Sequence, residues 1–256
     1  MTYTPQPSTA ELAHRLGANA HCCEVVSTLQ VAPCVREVVL RGNAETLAGR
    51  PGSDVMIRVE TPEGRFVRRR FSVRAVNAEA DALTLWITTD HDGPAAAWAT
   101  SVIAGDHVDV IGPRGKVFLA EADWHLFVGD LTGLAAFSRL AESIEPPGRA
   151  TLVAVLDHPE DALTTAHAEG VAITGVFVER RDARADDPAP LLNALAAFAM
   201  PPGVGHAYVT GEFSVVKALR AALADRGLAD EEIDHKSYWR AGRSNADHGE
   251  PDKAED

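Results

Sequence analysis

Arg68-Arg69-Arg70-Phe71-Ser72-Val73-Arg74 brings arginines, an aromatic ring and a hydroxyl into one short stretch. Read as a strand, side-chain alternation puts Arg70, Ser72 and Arg74 on one face and Arg69, Phe71 and Val73 on the other. Two chemistries suit that pattern. One is a basic face held in water. The other is a flavin dinucleotide site, whose ring needs an apolar surface and a hydroxyl near its edge, and whose pyrophosphate needs cations. The formal charge of the chain is −13, so this arginine cluster departs from its surroundings.

Other catalytic constellations are missing from the sequence. The histidines show no metal-ligand spacing, and neither a nucleophile elbow nor a Ser-His-Asp arrangement can be traced. Cys22, Cys23 and Cys34 are too few for an iron–sulfur cluster and too irregular for a disulfide framework. They read as small buried side chains.

The elements that must position the arginine cluster fall into two rhythms. Ser8-Thr9-Ala10-Glu11 has the form of a capping box before a short helix that stops at Gly17. From about Glu24 to Leu119 come short β runs: Val35–Leu40, Asp54–Glu60, Phe71–Val76, Leu83–Thr88 and Val108–Ile111. Turn signals such as Pro51-Gly52 and Ala104-Gly105-Asp106 separate them, which predicts a small antiparallel barrel. After Asp123, apolar runs at His125–Val128, Thr151–Leu156, Val171–Val178 and His206–Thr210 alternate with helical patterns at Leu134–Ser143 and Ser214–Arg226. That is the rhythm of a parallel α/β sheet. The expected division is an N-terminal extension over 1–20, a barrel over 21–121, an α/β domain over 122–243 and a disordered acidic tail over 244–256. The stretch from Glu179 to Pro190 reads as a surface loop.

Composition narrows the partners. A chain of charge −13 is repelled by a phosphate backbone, which argues against nucleic acid. No window has the roughly 18 apolar residues of a membrane span, and Met1-Thr2-Tyr3-Thr4-Pro5 lacks the form of a secretory signal. A cytoplasmic monomer is the expectation.

Four motifs in order carry a family likeness. Arg69-Arg70-Phe71-Ser72-Val73-Arg74 resembles the Arg-x-Tyr-Ser/Thr-x-Arg signature of FAD-binding barrels in the ferredoxin-reductase superfamily. Gly93-Pro94-Ala95-Ala96-Ala97-Trp98-Ala99, Gly112-Pro113-Arg114-Gly115 and Tyr238-Trp239-Arg240-Ala241-Gly242 resemble segments of siderophore-interacting proteins. The resemblance implies FAD on Arg69, Phe71, Ser72, Val73 and Arg74, with the Gly93-Pro94-Ala95 turn close to its pyrophosphate. It implies a packing role for Trp98. Trp239 either covers the flavin or nicotinamide or is a core residue.

The sequence also departs from the family. Phe71 stands where the family has Tyr, and Thr89 where many members have a flavin-contacting His. Gly129-Asp130-Leu131-Thr132-Gly133 replaces Gly-Asp-Glu-Thr-Ala, so an acidic residue is lost and Gly133 is expected to loosen the turn. Asp130 and Thr132 remain at a helix N-terminus suited to a polar or anionic ligand. Glu212 either faces the nicotinamide or caps a helix. For the nicotinamide the family favours NADPH, with NADH an alternative: Asp157 would repel a 2′-phosphate, whereas Arg180, Arg181 and Arg184 either bind one or form a solvated loop. The implied activity passes hydride from NAD(P)H to FAD and electrons to a ferric siderophore, with Arg65, Arg68 and Lys116 attracting the anionic chelate. Two other classes stay open: a different flavin or ferredoxin-type reductase, and a flavin- or siderophore-binding protein without activity.

Overall fold

The computed structural model describes residues 8–61, 64, 66–163, 170–180 and 183–242. Helix α1 (Thr9–Leu16) opens on the capping box read from the sequence. Ser8 Oγ accepts the Glu11 N–H, the Glu11 carboxylate accepts the Ser8 N–H at 2.8 Å, and Gly17 ends the helix at φ 60°.

Six antiparallel strands follow: β1 (Asn19–Ala32), β2 (Val35–Arg41), β3 (Asp54–Glu60), β4 (Phe66–Asn77), β5 (Ala82–Thr88) and β6 (His107–Arg114). They close into a barrel in the order β1-β2-β5-β4-β3-β6. Strand β1 starts at Asn19, earlier than the Glu24 expected, because its polar first half pairs with β6 from Asn19↔Gly112 to Glu24↔His107. Val25, Val38, Leu40, Ile57, Val73, Leu85 and Val110 fill the interior. Two short helices plug it, α2 (Ala44–Ala48) with Leu47 and α3 (Pro94–Ser101) with Ala99. The Gly93-Pro94-Ala95 segment expected as a turn is therefore the start of a helix, with Gly93 at the N-cap and Pro94 in the first turn. Gly112 and Pro113 belong to the end of β6.

The second unit is a parallel sheet of β7 (Trp124–Asp130), β8 (Gly148–Leu156), β9 (Val171–Glu179), β10 (Gly205–Glu212) and β11 (Ile233–Trp239), in the order β11-β10-β7-β8-β9. Strands β7 and β10 are buried at every position, as central strands covered on both faces must be. Helices α5 (Ala189–Ala197) and α6 (Phe213–Asp225) cover one face through Leu191, Leu195, Leu219 and Leu223. Helix α4 (Leu134–Ala141) covers the other with Leu134, Phe137 and Leu140. That cluster also takes in Ala32, Cys34, Val35 and Val117 from the barrel side, so the two units share one apolar seam. Burying a side chain such as Phe137 there stabilises the fold by about 2–3 kcal/mol.

Strand order reverses between β7 and β10. In open α/β sheets, ligands bind outside the carboxyl ends of the strands at such a point. No helix among the described residues is long and apolar enough to cross a membrane.

A cleft between barrel and sheet

Strand β4 divides its side chains as alternation requires. Phe71 and Val73 enter the barrel core, and Phe71 packs its ring 5.6 Å from that of Trp98 on α3. Two of the expected cofactor residues thus lie in the barrel core. Val73 is wholly enclosed, its N–H is given to Ser53 O at 3.1 Å, and Phe71 is 6% exposed, so neither presents a surface to a ligand. Arg70, Ser72 and Arg74 emerge on the opposite face, and each one meets a partner from elsewhere in the chain.

Two of those partnerships link barrel to sheet through β11, which sequence reasoning had not assigned. Asp54 receives Arg70 Nε and Nη2, both at 2.8 Å, and Lys236 Nζ at 2.5 Å. Burial pushes the Lys236 ammonium below the usual lysine range, while Asp54 pulls in the other direction. Next along β11, the Tyr238 hydroxyl lies 3.1 Å from Ser72 Oγ. Burial raises this phenol to about 12, so it stays protonated. Arg74 forms the third link, bidentate to Glu142 just after α4 at 2.7 and 2.8 Å, with its guanidinium 4.5 Å over the Trp86 ring.

Asp130 is the hub of the sheet's carboxyl edge. Its Oδ1 accepts the Thr132 N–H at 3.0 Å and the Thr132 hydroxyl. Its Oδ2 accepts the Glu212 N–H at 3.0 Å and Trp239 Nε1 at 2.9 Å. Burial pushes this carboxyl up, and the bonds from Thr132 and Trp239 oppose that shift. Gly211, at φ 133°, passes so close that a Cβ there would stand 2.6 Å from Asp130 Oδ2.

Glu212 resolves to a cap. One oxygen receives the Ser214 and Val215 N–H groups at the start of α6, the other receives the Ala241 N–H at 3.1 Å, and the residue is 1% exposed. Trp239 is half-buried at the edge of the cleft with its indole N–H fixed. Leu131 is buried in the apolar seam. The expectation that Gly133 loosens its turn is not met. A Cβ there would lie 2.4 Å from Thr210 Oγ1 and 2.7 Å from Phe137 Cε2, so glycine permits tight packing.

The remaining candidates are spread out. Thr89 lies just past β5, its N–H on Cys34 O at 2.9 Å. Lys116 is exposed, close enough to Lys236 for their charges to interact. Arg68 lines a small cavity under α1 with Thr9, Leu12, Arg58 and Phe66. It sits four residues along β4 from Ser72, about 13 Å at ordinary strand rise. Arg65, Arg181 and the expected acidic tail lie outside the described residues.

The residues present fit a dinucleotide's pyrophosphate. Arg69 is partly buried, burial lowers its pKa, and its hydrogen bond goes to the carbonyl of Arg68. Among the described residues it has no carboxylate partner, so its charge is open to an anion. The N-terminus of α3 likewise has no side-chain cap.

A closed antiparallel barrel followed by a parallel sheet, with the cleft at the sheet's carboxyl edge, is the ferredoxin-reductase architecture. A ferredoxin NADP+ reductase from Neisseria gonorrhoeae with bound FAD and NADP shares it at TM-score 0.63 and 17% identity, over 86% of this chain and 99% of that one. Residues 38–117 match the family model described as siderophore-interacting FAD-binding domain, and residues 122–242 match siderophore-interacting protein. The chain belongs to the siderophore-interacting protein family.

Its relatives agree. A siderophore utilization protein from T. fusca aligns with TM-score 0.80 and 27% identity, over 91% of this chain and 97% of that one. Ferric vibriobactin reductase ViuB of Vibrio cholerae is 29% identical over 72% of this chain and 68% of its own length. NADPH-dependent ferric-chelate reductase of Escherichia coli is 30% identical over 59% and 58%.

Proposed function

We propose that this protein is an FAD-dependent ferric-siderophore reductase that takes hydride from NAD(P)H and delivers electrons to the chelated Fe(III), releasing Fe(II). The observation that carries this reading is the bond between Ser72 and Tyr238, which joins the flavin motif of β4 to the family's closing motif across 166 residues. FAD supplies the conversion between a two-electron donor and a one-electron acceptor. The chain supplies position. Arg69 and the α3 N-terminus at Gly93, Pro94 and Ala95 hold the pyrophosphate, while Arg74, its charge taken by Glu142, ties β4 to α4. Ser72 offers a hydroxyl at the ring edge. Asp130 and Thr132 shape the nicotinamide end, where Trp239 supplies a flat wall that Asp130 keeps in place. Hydride transfer requires no acid–base residue, in keeping with a cleft whose buried carboxylates, Asp130 and Glu212, are occupied by N–H and O–H donors. Arg65, Arg68 and Lys116 attract the anionic chelate, and the protein works as a cytoplasmic monomer.

Anaerobic titration of the FAD-loaded protein with reduced nicotinamide tests the reading. The visible flavin band should bleach, then return on addition of a ferric siderophore, with Fe(II) appearing in a ferrous-specific chelator. A flavin that binds but stays oxidised with both NADH and NADPH would refute it.

A further inference from the structure

The carboxyl ends of β8 and β9 carry a charge arrangement that the reaction above leaves unused. Strand β8 pairs with β7 as far as Asp130↔Val155 and runs straight into Asp157; β9 runs into Arg180. Both side chains therefore stand beside the Asp130–Thr132 turn, at the edge where the adenosine half of a dinucleotide would extend.

Arg180 Nε donates to Asp157 Oδ1 at 2.8 Å and Nη1 to Ala185 O at 3.4 Å, and its side chain is 12% exposed. Its charge is committed to Asp157. The aspartate side chain is 33% exposed, and its Oδ2 accepts from no described residue. Arg184 is likewise committed, bidentate to Asp186 at 2.8 and 3.0 Å. From the barrel, Asp90 lies within electrostatic reach of Asp157, Arg180 and His91. Among the described residues, Asp157, Asp90, Arg180 and His91 thus face this corner, with Asp130 also in reach of Arg180. An adenosine 2′-phosphate brings nearly two negative charges and needs an uncommitted arginine. A 2′-hydroxyl needs only an acceptor, which Asp157 Oδ2 provides.

We infer that this protein uses NADH in preference to NADPH, with Asp157 accepting the adenosine ribose hydroxyl and Arg180 holding that carboxylate in place. The inference rests on the reading that reduced nicotinamide is the electron source, and it sets this chain apart from the E. coli relative whose name specifies NADPH.

The test compares kcat/KM for anaerobic flavin reduction by NADH and by NADPH, alongside calorimetric binding of NAD+ and NADP+. NADH should be favoured by about tenfold or more, as expected for like-charge exclusion. Asp157→Asn frees Arg180 and should narrow or reverse the ratio in both kinetics and binding. Arg180→Gln should widen it. Preference of the parent protein for NADPH overturns the inference, as does an NADH:NADPH ratio that stays unchanged in Asp157→Asn. If neither dinucleotide binds or reduces the flavin, the reductase reading fails first and takes this inference with it.

Discussion

Asp54→Asn removes one charge from the link that ties β11 to the barrel and leaves two cations facing each other. The Asp54 side chain is 4% exposed, while those of Arg70 and Lys236 are 18% and 16% exposed. Taking one partner out of a buried ion pair costs roughly 3–5 kcal/mol. Water reaches both cations in part, so about 3 kcal/mol is expected here. Urea unfolding followed by tryptophan fluorescence would show this as a midpoint lower by about 1 M.

The pH dependence adds a second reading of the same variant. Burial already holds the folded Lys236 pKa below its unfolded value, and only Asp54 opposes that. Without Asp54 the folded pKa falls further, so the unfolded chain binds the extra proton over a wider window. Stability of the variant then rises with pH towards the ordinary lysine pKa of about 10.4, and its deficit shrinks. Adding Lys236→Met to Asp54→Asn should recover part of the loss, with a coupling of about 1 kcal/mol or more. A deficit under about 0.5 kcal/mol, or one unchanged between about pH 7 and 10, would refute the view that this triad joins the two units.

Two further outcomes are expected. His125 is enclosed in the sheet with Nδ1 3.1 Å from the Tyr208 hydroxyl, and burial lowers its pKa to about 4. The unfolded chain binds the extra proton between that value and 6.5, so stability should fall by about 3 kcal/mol as pH drops through the window; in His125→Phe, unfolding measured across the same range should show a flatter slope. Gly133→Ala drives a methyl against Thr210 and Phe137 and should lower stability by about 1–3 kcal/mol, read as a drop in Tm.

Much of this architecture is legible in the residues themselves. The alternation of β4 correctly separates Phe71 and Val73 from Arg70, Ser72 and Arg74, because a barrel strand has one dry face and one wet face. The switch from short alternating strands to apolar strands followed by helices marks the second unit. What escapes is short or non-local. Helix α2 is five residues long, too short to show a period. Strand β11, Ile-Asp-His-Lys-Ser-Tyr-Trp, carries polar residues through most of its length and offers no apolar run. Asp54 and Lys236 are 182 positions apart, and nothing local to either announces the other. A lone signal existed for Asp54, a carboxylate opening the otherwise apolar run Val55-Met56-Ile57. A motif names positions, whereas the pleat decides which side chains point into the core, as Phe71 and Val73 do.

The last-made of the described strands completes the cleft. A ribosome that has released the barrel and the first four strands of the sheet has exposed Asp54, Ser72 and Asp130 without Lys236, Tyr238 and Trp239. From the end of β10 at Glu212 to Tyr238 on β11 the chain grows for a few seconds at roughly 5–20 residues per second. Through that interval the cleft has its arginines and Asp130 but lacks the wall that β11 supplies. A flavin captured then would sit in a half-walled cleft, without Tyr238 beside Ser72 or Trp239 on Asp130.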